Sequence, residues 1–568
     1  MWPFFNESRA LCEAKRRQRT ERLAEAPKYS ASEHGPFLKA TASEIVGRIQ
    51  RGEWTASEVI SAYIARAVFA HETTNCVTEV LFTEAVQQAK DLDTEFAATK
   101  QLRGPLHGVP ISLKDQFDIT GYDSTIGFSG EAQKPAESDA DIVKLLKAAG
   151  AIPIVKTNVP QTMFSFECCN PVFGRTVNPH KPGFTCGGSS GGEAALLAMD
   201  GSALGVGSDI GGSLRIPAAF CGIFSFKPGP LRVSYAGTGN TVPGFEAIVS
   251  VGGPMGRSVE DLETFCRIAF GVPGRTHNLA PVLYRQLTLP QKLRFGYYSD
   301  FYIKASPANK RAVLETAAAL RSQGHECIEI EVPDPVESFD VFVGLSSADG
   351  YKTLLSGIGS DPLDSSLFVI AHGTGLPRFI KLFAAWCTET FFKDAKFASA
   401  LRSTGVKPVR EYLQWTVRRD KYNELFNSEV WDKHALDGII APVQAMPQVP
   451  TGSFTTLFSL SSSTVLFNVV NSPAGCIPVT KVDPVKDAIT EEWTELPSPT
   501  LVERALYFGQ KPVYDPVAMK GMPVSVQVVG KKWEDEKVLA MMHVVDSALG
   551  KDRGFGPGNW DARENPFE

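Results

Sequence analysis

Apolar and polar positions in the first hundred residues follow the spacing of amphipathic helices. Two of these helices have recognisable starts, because Thr41 with Glu44 and Thr55 with Glu58 form capping boxes. A third run with helical spacing covers residues 83–98. The pattern predicts a helical N-terminal region, residues 1–100, that packs against the rest of the chain.

From about residue 105 the pattern changes, and short apolar runs alternate with helical stretches. The short runs predict strands at 109–113, 152–155, 293–298, 327–332, 438–441, 475–482 and 523–529. Helical spacing predicts helices at 140–149, 307–322 and 534–549. This alternation predicts an α/β fold, with a central mixed β-sheet covered by helices on both faces. The polar, proline-containing residues 483–515 predict a surface insertion.

Composition and charge argue against several classes of function. A net charge of −6 gives no basic surface for nucleic acid or for an anionic membrane. Ten cysteines without a CxxC spacing and nine histidines without an HxxxH pair predict no zinc site, so we expect neither a metal nor a cofactor. No stretch approaches 18 uninterrupted apolar residues, and the N-terminus lacks the apolar core of a signal peptide. We therefore expect a cytoplasmic protein without a transmembrane segment.

Two turns of glycine and serine are the most informative segments. All residues from Gly187 to Gly192 are glycine or serine, and a short helix is predicted at 193–199. A second turn, Gly211-Gly212-Ser213, also leads into a helical run. Glycines let several backbone N–H groups point at one ligand atom, and the helix N-termini add partial positive charge. Such turns are suited to binding an oxyanion.

A phosphate loop, a dinucleotide-binding loop and a nucleophile elbow fit these turns less well. A phosphate loop needs a lysine after the glycines, and none follows. In residues 205–211 the third glycine of a dinucleotide-binding fingerprint comes one position late. Residues 187–191 match the nucleophile elbow of α/β-hydrolases, but the preceding residues 178–184 are too polar and proline-rich for the buried strand that elbow requires. A flexible linker stays open as a further alternative.

Lys114 ends the apolar run Gly108-Val-Pro-Ile-Ser-Leu-Lys-Asp. Taken alone, it is explained by a lysine that bends out to solvent at a strand end. Together with the two turns, however, it resembles the amidase signature family. Members place a lysine in Gly-x-Pro-x-x-x-Lys-Asp, a serine in Gly-Gly-Ser-Ser-Gly-Gly and a second serine in Asp-x-Gly-Gly-Ser-x-Arg. Here these residues are Lys114, Ser189 and Ser213.

The resemblance continues through residues 156–163, 174–179, 220–222, 473–475 and 523–527, and it covers roughly residues 40–549. Within the family, the chain is most similar to the fungal acetamidase or general-amidase branch, and it is also similar to fatty-acid amide hydrolases. The resemblance implies the amidase-signature fold, with a catalytic domain at residues 101–550 and a C-terminal tail at 551–568.

The resemblance also implies a mechanism, the hydrolysis of a small-molecule amide through a seryl acyl-enzyme. Neutral Lys114 would accept a proton from Ser189, which in turn takes one from the nucleophile Ser213. In the family a cis peptide bond precedes the middle serine, here Gly188–Ser189. The N–H groups expected to bind the oxyanion are those of Ile210, Gly211, Gly212 and Ser213. The Met163 carbonyl is expected to contact substrate, and the residues expected to support the site are Ser190, Asp209 and Arg215.

Two other functions share these residues. A glutamine-hydrolysing amidotransferase subunit uses the same lysine and serines but works only with partner chains, and a catalytically silent binding protein could keep the fold. The resemblance further suggests a homodimer. Among the 35 phenylalanines, those in residues 379–397 and 454–470 belong either to the core or to an acyl-binding channel. A channel would favour aromatic or medium-to-long acyl amides over acetamide.

Overall fold

The computed structural model of the protein describes residues 2–275, 278–496 and 498–560, with side chains from residue 8 onward. Its strands are β1 (Val77–Val80), β2 (Pro110–Lys114), β3 (Ile152–Thr157), β4 (Cys169–Asn170), β5 (Gly174–Arg175), β6 (Leu204–Asp209), β7 (Phe224–Lys227), β8 (Val251–Gly256), β9 (Arg294–Tyr297), β10 (Glu326–Glu329), β11 (Gly438–Pro442), β12 (Ala474–Lys481) and β13 (Pro523–Val529).

Within the described residues, eleven of these strands form one mixed sheet, in the order β1-β3-β2-β6-β8-β7-β12-β13-β11-β9-β10. The triplets β3-β2-β6 and β11-β9-β10 are parallel, and the other neighbours are antiparallel. Strands β6, β8 and β13 are buried along their whole length, as expected when helices cover both faces of a sheet. The predicted α/β fold with a central mixed sheet is confirmed.

The α-helices flank this sheet. They are α1 (Trp2–Leu23), α2 (Ala31–Leu38), α3 (Ala42–Gln50), α4 (Ala56–Thr74), α5 (Phe82–Thr99), α6 (Asp141–Ala148), α7 (Gly191–Ala198), α8 (Arg215–Cys221), α9 (Val259–Ala269), α10 (Pro307–Ser322), α11 (Pro335–Ser346), α12 (Lys352–Leu355), α13 (Phe368–Gly373), α14 (Arg378–Phe391), α15 (Ala395–Ser403), α16 (Val409–Phe426), α17 (Ser462–Val469), α18 (Glu491–Thr494), α19 (Leu501–Tyr507) and α20 (Asp535–Leu549).

The N-terminal region is helical with one exception. Both predicted capping boxes are present, at the starts of α3 and α4. The exception is β1, which pairs antiparallel with β3 at the edge of the main sheet. The prediction of an all-helical region is therefore wrong at residues 77–80, where the chain adds a strand to the sheet that follows.

The segment 483–515 is not simply a surface insertion. It contains α18 and α19, and Trp493 and Tyr507 are buried. The buried carboxylate of Asp487 pairs with the Arg311 guanidinium at 2.6 Å, which ties the segment to α10. In the predicted tail, Gly558 N–H donates to Asp200 at 3.0 Å, so its first part packs on the body of the protein. Residues 561–568 of that tail lie outside the described residues.

Helix α14 carries the most exposed aromatic surface of the segment predicted at 379–397. Phe379 is 72% exposed and Phe383 is 63% exposed. Among the described residues, no single helix has the length and apolar composition needed to cross a bilayer. The helical stretches Ser365–Gly373 and Arg378–Phe391 have the required length and apolar composition only when they are taken together, and the chain bends by 116° between them.

Candidate active site

Lys114 and Asp209 lie at the same edge of the sheet because their strands are neighbours. β2 and β6 are parallel neighbours, so their carboxyl ends meet at one edge of the sheet. Lys114 is the last residue of β2, and Asp209 is the last residue of β6. Ligands of α/β sheets commonly bind at this edge. The lysine is completely buried, so the alternative of a side chain that bends out to solvent is wrong.

The Lys114 amine has two hydroxyl partners. Its Nζ donates to Ser189 Oγ at 2.6 Å and to Ser208 Oγ at 2.7 Å. Burial lowers the pKa of Lys114 to about 7, and the nearby carboxylates of Asp209 and Glu193 offset only part of that effect. A lysine with such a pKa is partly neutral at pH 7 and can act as a base.

Ser189 stands in a tight turn that precedes α7. The Gly188–Ser189 peptide bond is cis, as predicted. Gly188 admits no side chain, since a Cβ there would lie 2.5 Å from the Ser165 carbonyl oxygen. The next residue joins this turn to the second one, because Ser190 N–H donates to the Ser213 carbonyl at 3.3 Å. The two glycine-serine turns are therefore packed directly against each other, which contradicts the flexible-linker alternative.

The side chain of Asp209 stabilises the turn that carries Ser213. Its carboxylate accepts hydrogen bonds from the N–H groups of Gly212 (2.8 Å) and Leu214 (3.1 Å), and it pairs with Arg215 at 3.0 Å. Burial by itself raises the pKa of Asp209, but the Arg215 guanidinium, the Lys227 charge and the Asn468 hydrogen bond together outweigh it and lower that pKa to about 2. Asp209 is thus ionised and fixes the backbone on both sides of Ser213.

The same hydrogen bonds change the expected set of oxyanion donors. The Gly212 N–H already donates to Asp209, so it is not free in this structure, contrary to the sequence expectation. Within the described residues, the N–H groups of Ile210, Gly211 and Ser213 have no protein acceptor. Gly212 is still required for shape, because its φ is 130° and a Cβ would lie 2.4 Å from Thr464 Oγ1. Three of the four predicted donors therefore remain available.

Ser213 faces a small cavity of about 10 Å³, room for about one water molecule, and four phenylalanines are among its lining residues. Met163 lines it, as do the other residues Phe164, Ser165, Phe166, Ile210, Gly211, Phe342 and Phe458. Phe164 stacks on Phe342 with ring centroids 6.3 Å apart and on Phe458 at 6.0 Å. Of the two phenylalanine segments, residues 454–470 supply Phe458, whereas the described residues of 379–397 supply nothing to this lining. Residues 379–397 therefore do not line this cavity, and their part in an acyl-binding channel stays a prediction.

Two polar groups beside Lys114 are not indicated by the sequence motifs. Ser208 precedes Asp209 on β6 and contacts the lysine amine only because β6 lies next to β2. Glu193 on α7 is buried, and burial raises its pKa to about 7. Its carboxylate accepts from the hydroxyls of Ser112 and Thr157, one on each of the strands β2 and β3. Among the described residues, no group of three or more His, Cys, Asp or Glu side chains could hold a metal ion.

The ion pair beneath Ser213 gives a first prediction. Asp209→Asn leaves the Arg215 guanidinium buried without its counter-charge, so we expect a loss of about 3 kcal/mol or more in the free energy of unfolding, together with a large loss of amide turnover. Urea denaturation measures the first quantity. The control is Asp432→Asn, which breaks a pair at 3.5 Å whose carboxylate is 72% exposed, and should cost less than about 1 kcal/mol. Equal losses in the two variants would contradict the role given to Asp209.

Comparison with known proteins identifies the family of this chain. The family model described as Amidase matches residues 58–539. A putative amidase, kk1C, from Curvularia clavata is 36% identical over 527 residues, covering 90% of this chain and 89% of that protein. Fatty-acid amide hydrolase 1 from Sus scrofa is 34% identical, with 90% and 86% covered, and an acetamidase from Emericella nidulans is 32% identical, with 90% of each covered.

Among solved structures, a fatty acid amide hydrolase superimposes with a TM-score of 0.79 at 28% identity, covering 92% of this chain and 87% of that one. The residues that the family model matches, 58–539, include Lys114, Ser189 and Ser213. The chain therefore belongs to the amidase signature family and is a hydrolase of amide C–N bonds.

Proposed function

We propose that the chain hydrolyses carboxylic amides through an acyl-enzyme, with Ser213 as the nucleophile, Ser189 as a proton relay and Lys114 as the base. The observation that carries the proposal is the 2.6 Å hydrogen bond between Lys114 Nζ and Ser189 Oγ, in a site where burial lowers the pKa of that amine to about 7. A serine hydroxyl becomes nucleophilic only when a neighbouring base removes its proton. Locating the serine that a fluorophosphonate labels tests the proposal directly.

Protons move along the three side chains Ser213, Ser189 and Lys114, first toward the lysine and later back toward the substrate. As Ser213 Oγ attacks the amide carbonyl, its proton passes to Ser189 Oγ while the Ser189 proton passes to Lys114 Nζ. The tetrahedral oxyanion then lies against the unpaired N–H groups of Ile210, Gly211 and Ser213, where each donor is worth about 3 kcal/mol. The relay run backwards protonates the leaving amine, and water then hydrolyses the acyl-enzyme.

The cavity at Ser213 supports an apolar acyl group. Four of its nine lining residues are phenylalanines, and its volume is only about 10 Å³, so a larger acyl group enters only as these rings move apart. An aromatic or medium-length acyl group would contact these rings, whereas an acetyl group would leave most of the aromatic surface without a contact. We propose aromatic or medium-to-long acyl amides as the substrate class.

This substrate class predicts how catalytic efficiency depends on the acyl chain. Each methylene buried in the cavity contributes roughly 0.8 kcal/mol, or about fourfold in kcat/KM, until the aromatic cavity is full. We expect kcat/KM to rise from acetamide to hexanamide and phenylacetamide and then to level off. A series that is highest for acetamide would contradict the proposed class and favour small amides.

A matched pair of variants shows whether the cavity sets this dependence. Phe342→Ala removes one aromatic wall, so we expect it to flatten the dependence of kcat/KM on chain length. Phe383→Ala removes a ring that is 63% exposed on α14 and should leave the dependence as it is. The same flattening in both variants would argue against the cavity as the acyl site.

A further inference from the structure

The second hydroxyl partner of Lys114 begins a chain of hydrogen bonds that the proposed reaction does not use. Ser208 Oγ accepts from Lys114 Nζ at 2.7 Å and donates to Gln116 Oε1 at 2.6 Å. Gln116 Nε2 in turn donates to Tyr235 Oη at 2.6 Å. Gln116 is completely buried, two residues beyond the end of β2. The chain therefore leads from the candidate base to Tyr235, a half-buried side chain that does not line the cavity at Ser213.

The direction of this chain is fixed by Gln116. Its Nε2 also faces the Gly239 carbonyl oxygen at 3.5 Å, an atom that can only accept a hydrogen bond. The amide is therefore oriented with Oε1 toward Ser208, and a carbonyl oxygen holds no hydrogen to give. The single hydrogen of the Ser208 hydroxyl points to Gln116 Oε1, on the side where Tyr235 also lies within reach, so toward Lys114 the hydroxyl accepts.

This direction matters once Lys114 is neutral. A neutral amine has one lone pair, and it can take the Ser189 proton only if that lone pair points at Ser189. Because Ser208 accepts one of the amine's N–H groups and cannot donate to it, Ser208 does not occupy the lone pair, which stays available to the Ser189 hydroxyl. If Ser208 were free to donate, its hydrogen would compete for the same lone pair, and the amine would then be bound in an orientation that cannot react.

The other groups around Lys114 do not provide this orientation. The titratable groups that influence it are Asp209, Cys168, Glu193 and Asp115. Asp209 pairs with Arg215, while the carboxylates of Glu193 and Asp115 accept from hydroxyls and backbone N–H groups elsewhere. Within the described residues, the hydrogen bonds of the amine run to Ser189 and Ser208.

We propose that Gln116 is a positioning residue, which acts through Ser208 to keep the lone pair of Lys114 directed at Ser189. This inference rests on the proposed function, since it gives Lys114 the role of base. It assigns to an amide and a hydroxyl the part that an aspartate plays for histidine in other serine hydrolases.

A double-mutant cycle tests the inference. Gln116→Leu frees the Ser208 hydroxyl to donate, so we expect kcat for an amide to fall at least about tenfold while KM changes little. Ser208→Ala removes the competing hydrogen together with the acceptor. Gln116→Leu/Ser208→Ala should therefore be no slower than Ser208→Ala alone. Losses that multiply in the double variant, or a Gln116→Leu enzyme within twofold of the wild type, would overturn the inference.

The pH dependence of kcat/KM gives a second readout, with a variant that preserves the shape of the side chain. Gln116→Glu keeps the acceptor for Ser208 and adds a negative charge, which favours the ammonium form, so the acidic limb should move to higher pH. Ser208→Ala removes an acceptor of the ammonium, so the limb should move to lower pH. An acidic limb of kcat/KM that stays at the wild-type pH in both Gln116→Glu and Ser208→Ala would contradict the inference.

Two controls separate this inference from the proposed function. Gln448→Leu removes another buried glutamine amide, which donates to the Phe220 carbonyl at 2.8 Å, and it should leave the limb unmoved. Lys114→Ala reports on the base itself. If it lacks amide turnover while both Gln116 variants behave as the wild type, only the inference fails. If Lys114→Ala keeps full turnover, the proposed function fails and the inference fails with it.

Discussion

Ser213→Ala is expected to abolish amide turnover, by on the order of 10⁶-fold, and to abolish labelling by a fluorophosphonate. Within the described residues, the Ser213 hydroxyl has no hydrogen-bond partner and faces the aromatic cavity, so the change removes one oxygen atom without breaking a contact of the fold. The free energy of unfolding should change by less than about 1 kcal/mol, since no buried group loses a partner. Urea denaturation and intact-mass spectrometry measure both effects.

The neighbouring serines provide the matched comparison. Ser189 and Ser190 lie in the adjacent turn, and Ser190 N–H is bonded to the Ser213 carbonyl. In both Ser189→Ala and Ser190→Ala, we expect the label to be found on Ser213. The rate of labelling should fall in Ser189→Ala, because that variant interrupts the proposed proton relay. Peptide mapping that places the label on Ser189 or Ser190 in the wild type would overturn the assignment of the nucleophile.

Local signals in the sequence predict the fold class and several of its elements. The capping boxes at Thr41 and Thr55 depend on residues three apart, and both are formed. The helix predicted at 307–322 and the strand predicted at 523–529 have the observed bounds, because each shows a complete periodic pattern with clear ends. The pattern misses four of the eleven strands of the main sheet, because β1 and β7 are only four residues long and the glycines of β6 and β8 weaken the strand pattern.

The residues of the site likewise divide into those that short sequence motifs indicate and those that only the fold brings together. Lys114, Ser189 and Ser213 stand in short motifs, and the structure brings Lys114 into hydrogen-bond contact with Ser189. The contact between Ser208 and Lys114 depends on the order of strands in the sheet, and Phe342 reaches the cavity from α11, far along the chain. A hydrogen bond such as that between Gly212 N–H and Asp209 depends on the exact path of the turn. Such contacts leave no periodic or compositional signal in the sequence.

Helix α14 shows how an apolar pattern alone can mislead. Its aromatic residues are spaced like those of a core helix, and the sequence leaves open whether they line the core or a channel. In the structure, Phe379, Phe383 and Phe391 are each more than half exposed. A hydrophobic pattern indicates that a surface is apolar, and only the fold decides what that surface faces.

Lys114→Ala is expected to lower amide turnover by about 10³- to 10⁴-fold and ester turnover by much less at alkaline pH. Lys114 would serve twice, as the base that activates Ser213 through Ser189 and as the source of the proton for the leaving amine. Hydroxide can replace the base when an ester is the substrate, because an alkoxide leaves without a proton. An amine leaves poorly unless it is protonated, so the amide depends on both roles.

The pH profile of the wild type connects this prediction to the geometry. Because burial lowers the pKa of Lys114 to about 7, the neutral base forms as the pH rises through about 7, and kcat/KM for an amide should rise over the same interval. In Lys114→Ala that limb should disappear, and the ester rate should instead grow steadily with hydroxide concentration.

Lys156→Ala is the matched control for the loss of a buried lysine. Lys156 lies on the neighbouring strand β3, and its amine donates to the Asp123 carbonyl and the Ser124 hydroxyl, not to either serine of the proposed relay. Its removal costs stability, but the ratio of amide to ester turnover should stay at the wild-type value. A matched amide and ester that lose activity equally in Lys114→Ala would contradict the double role, because a residue needed only to activate the nucleophile affects both substrates alike.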